Sequence, residues 1–254
     1  MIIAIIQART SSTRLPNKVL KTIVGKPMLQ LQIERVKQSK LIEKVIVATS
    51  INSEDNAIEK LCQQLNTSCF RGELNDVLAR YYYCAIQEKA EHIVRLTGDC
   101  PLIDAAIIDQ VIRLHLDNKS DYTSNCRIPR LPDGLDVEIF TLSALKQSFQ
   151  QAKKPSEREH VTLFMRNHAE LFKQSDFQYN QDLSHYRWTV DEPEDFEFIS
   201  EVYQYLYPKK TNFTIQDILL LLKHHPELTK MNQKFIRNEG LLKSLTNDKE
   251  QGFD

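Results

Sequence analysis

Short apolar segments alternate with amphipathic segments four times in the first half of the chain. The first segment, residues 2–6, is Ile-Ile-Ala-Ile-Ile, and such uninterrupted runs are typical of strands that are covered on both faces. Strands are predicted at residues 2–6, 45–49, 68–70 and 92–96, and helices from Pro27, Ser53, Asn75 or Asp76, and Asp104. This alternation predicts an α/β fold with a mostly parallel sheet and helices on both faces.

The second half of the chain is less regular. Strands are predicted at residues 122–125, 135–140 and 187–190, and helices at residues 142–151, 157–168 and 193–207. Residues 235–254 show little apolar periodicity, so we predict one domain over residues 1–234 and a loose C-terminal tail over residues 235–254.

A polar loop, residues 7–18, follows the first predicted strand. Three of its residues are cations (Arg9, Arg14 and Lys18), and four consecutive residues between them carry hydroxyls. Ligands of parallel sheets bind beyond the carboxyl ends of the strands, and arginine forks match phosphate oxygens. The loop contains no glycine, which excludes a Walker loop and a dinucleotide fingerprint. A solvated basic loop remains the alternative, and the loop alone does not decide between the two.

Charge and cysteine usage exclude several function classes. The net charge of −1 gives no overall positive field for a nucleic-acid partner. We expect a cytoplasmic protein without a membrane partner, because no signal peptide and no apolar run of membrane-spanning length is present. The five cysteines are scattered, without a Cys-x-x-Cys pair, so neither a disulfide framework nor a zinc site is expected.

Five motifs, taken together and in order, resemble one enzyme family. They are Gln7-Ala8-Arg9 with Arg14-Leu15-Pro16-Asn17-Lys18, then residues 95–104 (RLTGDCPLID), 131–138 (LPDGLDVE), 158–162 (REHVT) and 187–195 (RWTVDEPED). The chain is similar over residues 1 to about 207 to the cytidylyltransferases that activate acidic sugars, the CMP-sialate and CMP-Kdo synthetases. It resembles most the branch named for the spore-coat polysaccharide biosynthesis protein SpsF.

The resemblance implies a Rossmann-like fold of the nucleotidyltransferase and GT-A type. It also implies a Mg²⁺-dependent transfer of a nucleotidyl group from a nucleoside triphosphate, CTP first, to a sugar acid. Pyrophosphate is released, and the product serves surface polysaccharide synthesis. Enzymes of this kind are frequently homodimers, so a homodimer is an expectation by analogy.

The resemblance also assigns the reacting groups. Arg9, Arg14 and Lys18 are implied to hold the triphosphate, and Asp99 and Asp191 to bind Mg²⁺. Two carboxylates with phosphate oxygens and water suit this hard cation. Each aspartate has a structural alternative: Asp99 as a turn residue, and Asp191 as a helix cap before Pro193 with Glu194 completing a capping box.

The base-binding assignment stays open. Sialate and Kdo synthetases have a cytosine-reading glutamine where this chain has Thr97, which puts the identity of the base in doubt. Asn75 and Asp76 have helix capping as an equal alternative. The implied nucleotide contacts are Ala8, Arg9, Ser11, Ser12, Arg14, Lys18, Arg71, Asn75, Asp76 and Thr97.

The sugar side rests on fewer signals. The implied contacts are Asp133, Gly134, Asp136, Glu138, Arg158, Glu159, His160 and Arg187. A sugar carboxylate needs a cation, which Arg158 or Arg187 could supply. Packing at a helix start is the alternative for His160, and core packing is expected for Trp188, the only tryptophan.

Two other functions compete with this hypothesis. A GT-A-type glycosyltransferase would use an already activated sugar, but such enzymes usually hold their metal with Asp-x-Asp, which Asp99-Cys100-Pro101 does not supply. A non-catalytic subunit that binds nucleotide sugars is the other alternative. The joint presence of Arg9, Lys18, Asp99 and Asp191 speaks against it.

Overall fold

A computed structural model describes residues 1–253. The strands are β1 Ile2–Gln7, β2 Thr22–Ile23, β3 Lys26–Pro27, β4 Lys44–Ser50, β5 Ser68–Gly72, β6 His92–Thr97, β7 Tyr122–Ser124, β8 Glu138–Thr141 and β9 Gln174–Asp176. The α-helices are α1 Met28–Val36, α2 Asn56–Gln64, α3 Val77–Gln87, α4 Ala105–Asn118, α5 Leu142–Gln151, α6 Pro155–Glu159, α7 Leu163–Asn167, α8 Pro193–Leu206, α9 Ile215–His224 and α10 Glu239–Glu250. Short 3₁₀ turns lie at Lys18–Leu20, Ser53–Asp55 and Leu228–Lys230.

Seven of the strands form one sheet in the order β5-β4-β1-β6-β8-β7-β9. β5, β4, β1 and β6 are parallel, β8 runs antiparallel to both β6 and β7, and β9 is parallel to β7. Gln7 at the end of β1 pairs with Ala48 of β4 and Thr97 of β6. The loops after β1, β4 and β6 therefore leave the sheet side by side. The predicted fold class is confirmed.

Apolar packing on both faces explains the unbroken apolar run of β1. Ala4 and Ile6 belong to the cluster that α1, α2, α4, α8 and α9 cover. Ile3 and Ile5 belong to a second cluster on the opposite face, beneath α3, α5 and α7. A strand with helices on both sides has no solvent-facing side chain to make polar, so its sequence cannot alternate.

Three local predictions are corrected. Residues 187–190 form a single bridge between Arg187 and Asp133 instead of a strand, because their amides bond to loops: Trp188 to Asp133 and Val190 to Asp99. The helix predicted over residues 157–168 is divided into α6 and α7, and Val161 between them has a left-handed backbone (φ 48°). Ser53 begins a 3₁₀ turn and does not cap α2.

The C-terminal segment is not a loose extension in its described part, residues 235–253. It contains α10, which packs on α6. The Asp248 carboxylate accepts hydrogen bonds from the amide (3.1 Å) and hydroxyl of Ser156, and the Ser244 hydroxyl bonds to Glu159 (2.9 Å). These contacts are polar, which is why apolar periodicity did not reveal the helix. The domain boundary at residue 234 stays a prediction.

None of the helices within residues 1–253 combines the length and apolar character needed to cross a membrane.

Candidate active site

A cavity of about 230 Å³ opens beyond the carboxyl ends of β1 and β6. One part of its wall comes from the first loop, the end of β6 and the segment before α8, and carries Arg14, Asp99 and Asp191. Another part comes from β8, the loop before it and α7. Residues 236 and 238–241 of the C-terminal segment complete the wall. Strand ends and the C-terminal segment thus enclose one space.

Asp55 fixes the first loop to the end of β4. Its buried carboxylate accepts hydrogen bonds from the amide and hydroxyl of Thr10, both at 2.8 Å, and from the amide (3.2 Å) and hydroxyl of Ser50. Burial alone would raise the pKa of this carboxyl, but the bonds from Ser50 and Thr10 lower it below the ordinary value. The loop is therefore held by an ionised carboxylate.

Asp55→Asn is expected to destabilise the fold by about 1–3 kcal/mol, because an amide cannot accept every bond that the carboxylate accepts and leaves a buried donor without a partner. Urea unfolding measures this loss. The exposed neighbour offers a matched control, Glu54→Gln. Equal stability of the two variants would contradict the anchoring role.

Lys18 brings the two predicted metal ligands together. Its ammonium donates to Asp99 Oδ2 (3.2 Å), Asp191 Oδ1 (2.9 Å) and the Val190 carbonyl (2.8 Å). Burial lowers the pKa of Lys18, but Asp99 and Asp191 outweigh this and raise it. Burial likewise raises the pKa of Asp99, and Lys18 with hydrogen bonds from Thr97 and Cys100 lowers it below its ordinary value. Lys18 and Asp99 therefore both favour their charged forms.

The donor chemistry of this pair fits a divalent cation. Two carboxylates within reach of one ammonium can also reach one Mg²⁺, which prefers oxygen ligands. Residues 1–253 contain no cluster of three or more His, Cys, Asp or Glu side chains arranged to hold a metal. Oxygens of a bound phosphate and water would therefore have to complete the coordination. Lys18 itself is fully engaged, so its predicted contact with the triphosphate requires its ammonium to leave the two carboxylates.

The two arginines of the first loop differ. Arg14 contacts three carboxylates: Asp191 and Glu192, both at 3.1 Å, and Glu239 at 2.6 Å. Arg9 is exposed and has no side-chain partner among residues 1–253. Arg9 is thus unpaired, whereas Arg14 would have to leave at least one of its carboxylate partners to contact a phosphate.

Arg187 contacts the Asp191 carboxylate oxygen that Lys18 does not contact. This buried guanidinium donates to both oxygens of Asp195 (2.9 and 2.8 Å), to Asp133 (3.1 Å) and to Asp191 Oδ2 (3.3 Å). Helix α8 is capped by Glu192 with Asp195, not by Asp191 with Glu194. The structural alternative for Asp191 is therefore wrong, and its carboxylate faces Lys18 and Arg14 instead.

The predicted nucleotide contacts are only partly brought together. Thr97 and Arg14 line the cavity, whereas the other predicted contacts of the first loop do not: Ala8, Arg9, Ser11, Ser12 and Lys18. Arg71 points elsewhere, since it bonds to the carbonyls of Ser50 and Asn52 and to the side chains of Asn56 and Glu59. Asn75 is exposed, and Asp76 caps α3 by accepting the Ala79 amide at 2.9 Å.

Only some of the predicted sugar contacts line the cavity. Asp133, Asp136, Glu138 and His160 line the cavity. Arg158 instead bonds to Asp76 and to the Phe149 carbonyl (2.8 Å), and Glu159 bonds to Ser244 of α10.

Two of the predicted sugar contacts, Glu138 and Gly134, have structural roles, and so has Trp188. Glu138 is saturated, since it accepts from Arg95, Tyr122 and Thr162. Gly134 allows the loop to pass Trp188: its φ is 105°, and a Cβ would lie 2.5 Å from the Trp188 carbonyl carbon. Trp188 is fully buried, so the expected core packing is confirmed.

The family comparison decides the class of protein. A family model described as cytidylyltransferase matches residues 3–218. The chain belongs to the cytidylyltransferase family. The predicted family is thereby confirmed, and the nucleotidyltransferase is favoured over the glycosyltransferase alternative.

Individual cytidylyltransferases and relatives agree with this assignment. The spore coat polysaccharide biosynthesis protein SpsF of Bacillus subtilis is 34% identical over 233 residues, covering 89% of this chain and 95% of SpsF. A 3-deoxy-manno-octulosonate cytidylyltransferase of Geobacter sulfurreducens is 39% identical over 141 residues, 54% of this chain and 55% of that enzyme. The structure of a cytidylyltransferase from Leptospira borgpetersenii superposes with a TM-score of 0.87 at 35% identity, covering 93% of this chain and 99% of that one.

Several residues of this cytidylyltransferase site were not predicted from the sequence. Asp55 lies two residues after Ser53, in a segment that the sequence predicts to be an ordinary helix start. Arg166 lies four positions after the fourth motif, and a single basic residue outside a motif does not indicate a role in the site. Arg237 and Glu239 belong to the segment predicted to be loose, yet they contact Asp136 and Arg14. Asp195 stands in the last motif, and the acidic third position of α8 is the one signal that could have identified it as a cap.

The cytidylyltransferase cavity contains a carboxyl that titrates near neutral pH. Burial and repulsion from Asp136 raise the pKa of Asp133 to about 7, against the opposing charges of Arg237 and Arg187. An unfolded chain has an ordinary aspartate pKa of about 3.9. Between about pH 4 and about pH 7, the folded state therefore keeps a proton on Asp133 that the unfolded chain has released. The stability from this group is present below about pH 4 and is lost as the pH rises to about 7.

Asp133→Asn should flatten this pH dependence. We expect the wild type to lose more unfolding free energy than the variant between about pH 5 and about pH 8, because only the wild type releases this proton. Urea unfolding at both pH values measures the difference. Parallel losses in the two proteins would show that Asp133 does not titrate in this range.

Proposed function

We propose that this cytidylyltransferase transfers CMP from CTP to a sugar acid and releases pyrophosphate, with Mg²⁺ as its cofactor. The observation that carries the proposal is the pair Asp99 and Asp191, held together by Lys18 at the wall of a polar cavity. This arrangement lies at the carboxyl ends of parallel strands, where such folds bind nucleotides. Family membership supplies the reaction type.

The phosphate end supplies positive charge. Attack of a sugar hydroxyl on the α-phosphorus forms one P–O bond, breaks the bond to pyrophosphate and releases the hydroxyl proton to solvent. The growing charge of pyrophosphate needs cations. Arg9, which has no side-chain partner among residues 1–253, would contact the triphosphate together with Arg14 and Lys18 of the same loop. Asp99 and Asp191 would hold Mg²⁺, which would neutralise phosphate charge and favour an ionised hydroxyl. Arg187 keeps Asp191 oriented.

The sugar end supplies hydrogen-bond acceptors. Asp133 and Asp136 line the cavity and suit sugar hydroxyls, which donate to carboxylates. The relatives include a 3-deoxy-manno-octulosonate cytidylyltransferase and SpsF, a spore coat polysaccharide protein. Their names support a sugar acid as acceptor and a role in surface polysaccharide synthesis.

The site presents few groups that could select the base of the nucleotide. Thr97 offers one hydroxyl, and this hydroxyl lies 3.3 Å from the Cys100 sulfur. Arg71 is engaged by the end of β4, the turn after it and α2. We therefore propose CTP as substrate, with looser discrimination among pyrimidine nucleotides than a glutamine would give, since a lost hydrogen-bond partner forfeits selectivity.

A pyrophosphate-release screen tests the proposal. CTP, UTP, dTTP, ATP and GTP are each combined with Mg²⁺ and with 3-deoxy-manno-octulosonate, N-acetylneuraminate or neutral hexoses. Release that requires CTP and a sugar acid, with formation of the CMP-sugar, supports the proposal. Transfer of sugar from a CMP-sugar without pyrophosphate release would support the glycosyltransferase, and binding without turnover the non-catalytic subunit.

We further propose that the enzyme acts in the cytoplasm, where CTP is made, and as a homodimer. Light scattering of the purified protein measures the mass of the assembly. A mass near that of one chain at micromolar concentration would contradict the dimer.

A further inference from the structure

Three arginines line the cavity, and they differ in their partners. Arg14 contacts Asp191, Glu192 and Glu239, and Arg95 bonds to Glu138. Arg166 has neither an ion pair nor a side-chain hydrogen bond to any of residues 1–253, and it is only partly exposed. A guanidinium that lines a cavity and has no protein partner is available to an anionic ligand, whose charge it would compensate.

The two cations that the sequence suggested for the sugar carboxylate are already used. Arg158 bonds to Asp76 and stacks over the Phe149 ring at 4.9 Å. Arg187 bonds to Asp195, Asp133 and Asp191. Neither lines the cavity, and freeing either would leave carboxylates without their cation. The sugar end therefore needs another positive group.

The carboxylates of the cavity wall around Arg166 already have other partners. Glu138, whose pKa Arg166 helps to lower, already accepts bonds from Arg95, Tyr122 and Thr162. Asp136 is paired with Arg237. The positive charge of Arg166 is thus left for a ligand of the same cavity.

Helix α7 holds Arg166 in place despite its short length. The three residues before it, Leu163, Phe164 and Met165, are buried, with exposed fractions of 5%, 6% and 0%. The Arg166 amide donates to the Thr162 carbonyl at 2.9 Å. The side chain is therefore presented to the cavity by an ordered backbone, as a specific contact requires.

We propose that Arg166 binds the carboxylate of the sugar acid and so determines that the acceptor is acidic. The inference rests on the proposed function for the identity of the ligand. A guanidinium fork pairs with a carboxylate through two parallel hydrogen bonds, which a neutral sugar cannot reproduce. Arg166 is in this view a specificity residue of the sugar end, separate from the triphosphate contacts.

The test compares Arg166→Gln and Arg166→Lys with wild type and with Arg113→Gln, an exposed arginine on α4. Binding of 3-deoxy-manno-octulosonate and N-acetylneuraminate is measured by titration calorimetry with CTP present and Mg²⁺ omitted. Steady-state pyrophosphate release with the same acids gives KM for each substrate. We expect Arg166→Gln to weaken binding of the acid about 10- to 100-fold, as loss of a charged hydrogen bond does. KM for CTP should not change, Arg166→Lys should recover part of the loss, and Arg113→Gln should match wild type.

The outcomes separate the inference from the proposed function. Unchanged binding of the acid by Arg166→Gln, or no binding of either acid by the wild type, overturns the inference. A rise in KM for CTP instead of KM for the acid overturns it too, since Arg166 would then contact the nucleotide. Binding of an acid that depends on Arg166, without any pyrophosphate release in the wild type, supports the inference while the proposed function fails. Pyrophosphate release that is unaffected by Arg166→Gln supports the proposed function and overturns the inference about Arg166.

Discussion

Arg187→Met is expected to destabilise the protein by about 3–5 kcal/mol, the usual cost of removing one partner of a buried ion pair. Asp195 has no exposed surface, and Arg187 bonds to both of its oxygens. Without the guanidinium, Asp195 keeps only bonds from the amides of Asp191 and Glu192 and from Asn232. Its buried negative charge then has no compensating cation. Urea unfolding measures the loss.

A second effect of Arg187→Met should appear in catalysis. The Asp191 carboxylate loses its contact at 3.3 Å with Arg187, so its orientation toward Lys18 relaxes and turnover falls even where the fold persists. Arg113→Met is the matched control, because Arg113 is exposed. The double variant Arg187→Met/Asp195→Asn should regain part of the stability, since it removes the uncompensated charge. A stability equal to that of Arg113→Met would show that the network contributes little.

The first half of the fold could be predicted because one physical constraint shapes its sequence. Strands buried on both faces must be apolar throughout, and residues 2–6 meet this requirement. The same constraint places Asp99 and the first loop at neighbouring strand ends. Residues 187–190 were wrongly predicted to be a strand, because a short buried segment can form its backbone hydrogen bonds with loops instead of with a strand.

The partners of the arginines could not be predicted from the sequence. A guanidinium is suited equally to a phosphate, a sugar carboxylate or a protein carboxylate, and only the fold decides which lies within reach. Arg71, Arg158 and Arg187 find protein acceptors, whereas Arg9 and Arg166 find none within residues 1–253. The predicted roles of the first three therefore compete with bonds that stabilise the fold.

The C-terminal segment escaped prediction because polar side chains hold it. Arg237 reaches Asp136, and Glu239 reaches Arg14 at 2.6 Å. These contacts join a segment beyond the matched residues 3–218 to both ends of the cavity. A sequence reading based on apolar periodicity has no access to such contacts.

Asp99→Asn and Asp191→Asn are each expected to lower turnover by about 10³-fold or more, because each removes a charged ligand of the proposed Mg²⁺ site and its electrostatic contribution to phosphoryl transfer. The shape of each side chain is kept. Both carboxylates are partly exposed, at 25% and 22%, so stability should change little compared with activity. Pyrophosphate release measures turnover, and thermal unfolding checks the fold.

Each substitution also removes a partner of Lys18, so a third variant is needed to interpret the loss. Lys18→Met removes the ammonium and leaves both carboxylates free to bind a cation. We expect it to bind Mn²⁺, measured by electron paramagnetic resonance, at least as tightly as wild type in the absence of nucleotide, because a competing positive charge is gone. The two Asn variants should bind Mn²⁺ weakly. If they retained full turnover, or if the wild type worked in excess chelator, Asp99 and Asp191 would not be metal ligands, and their contact with Lys18 would be structural alone.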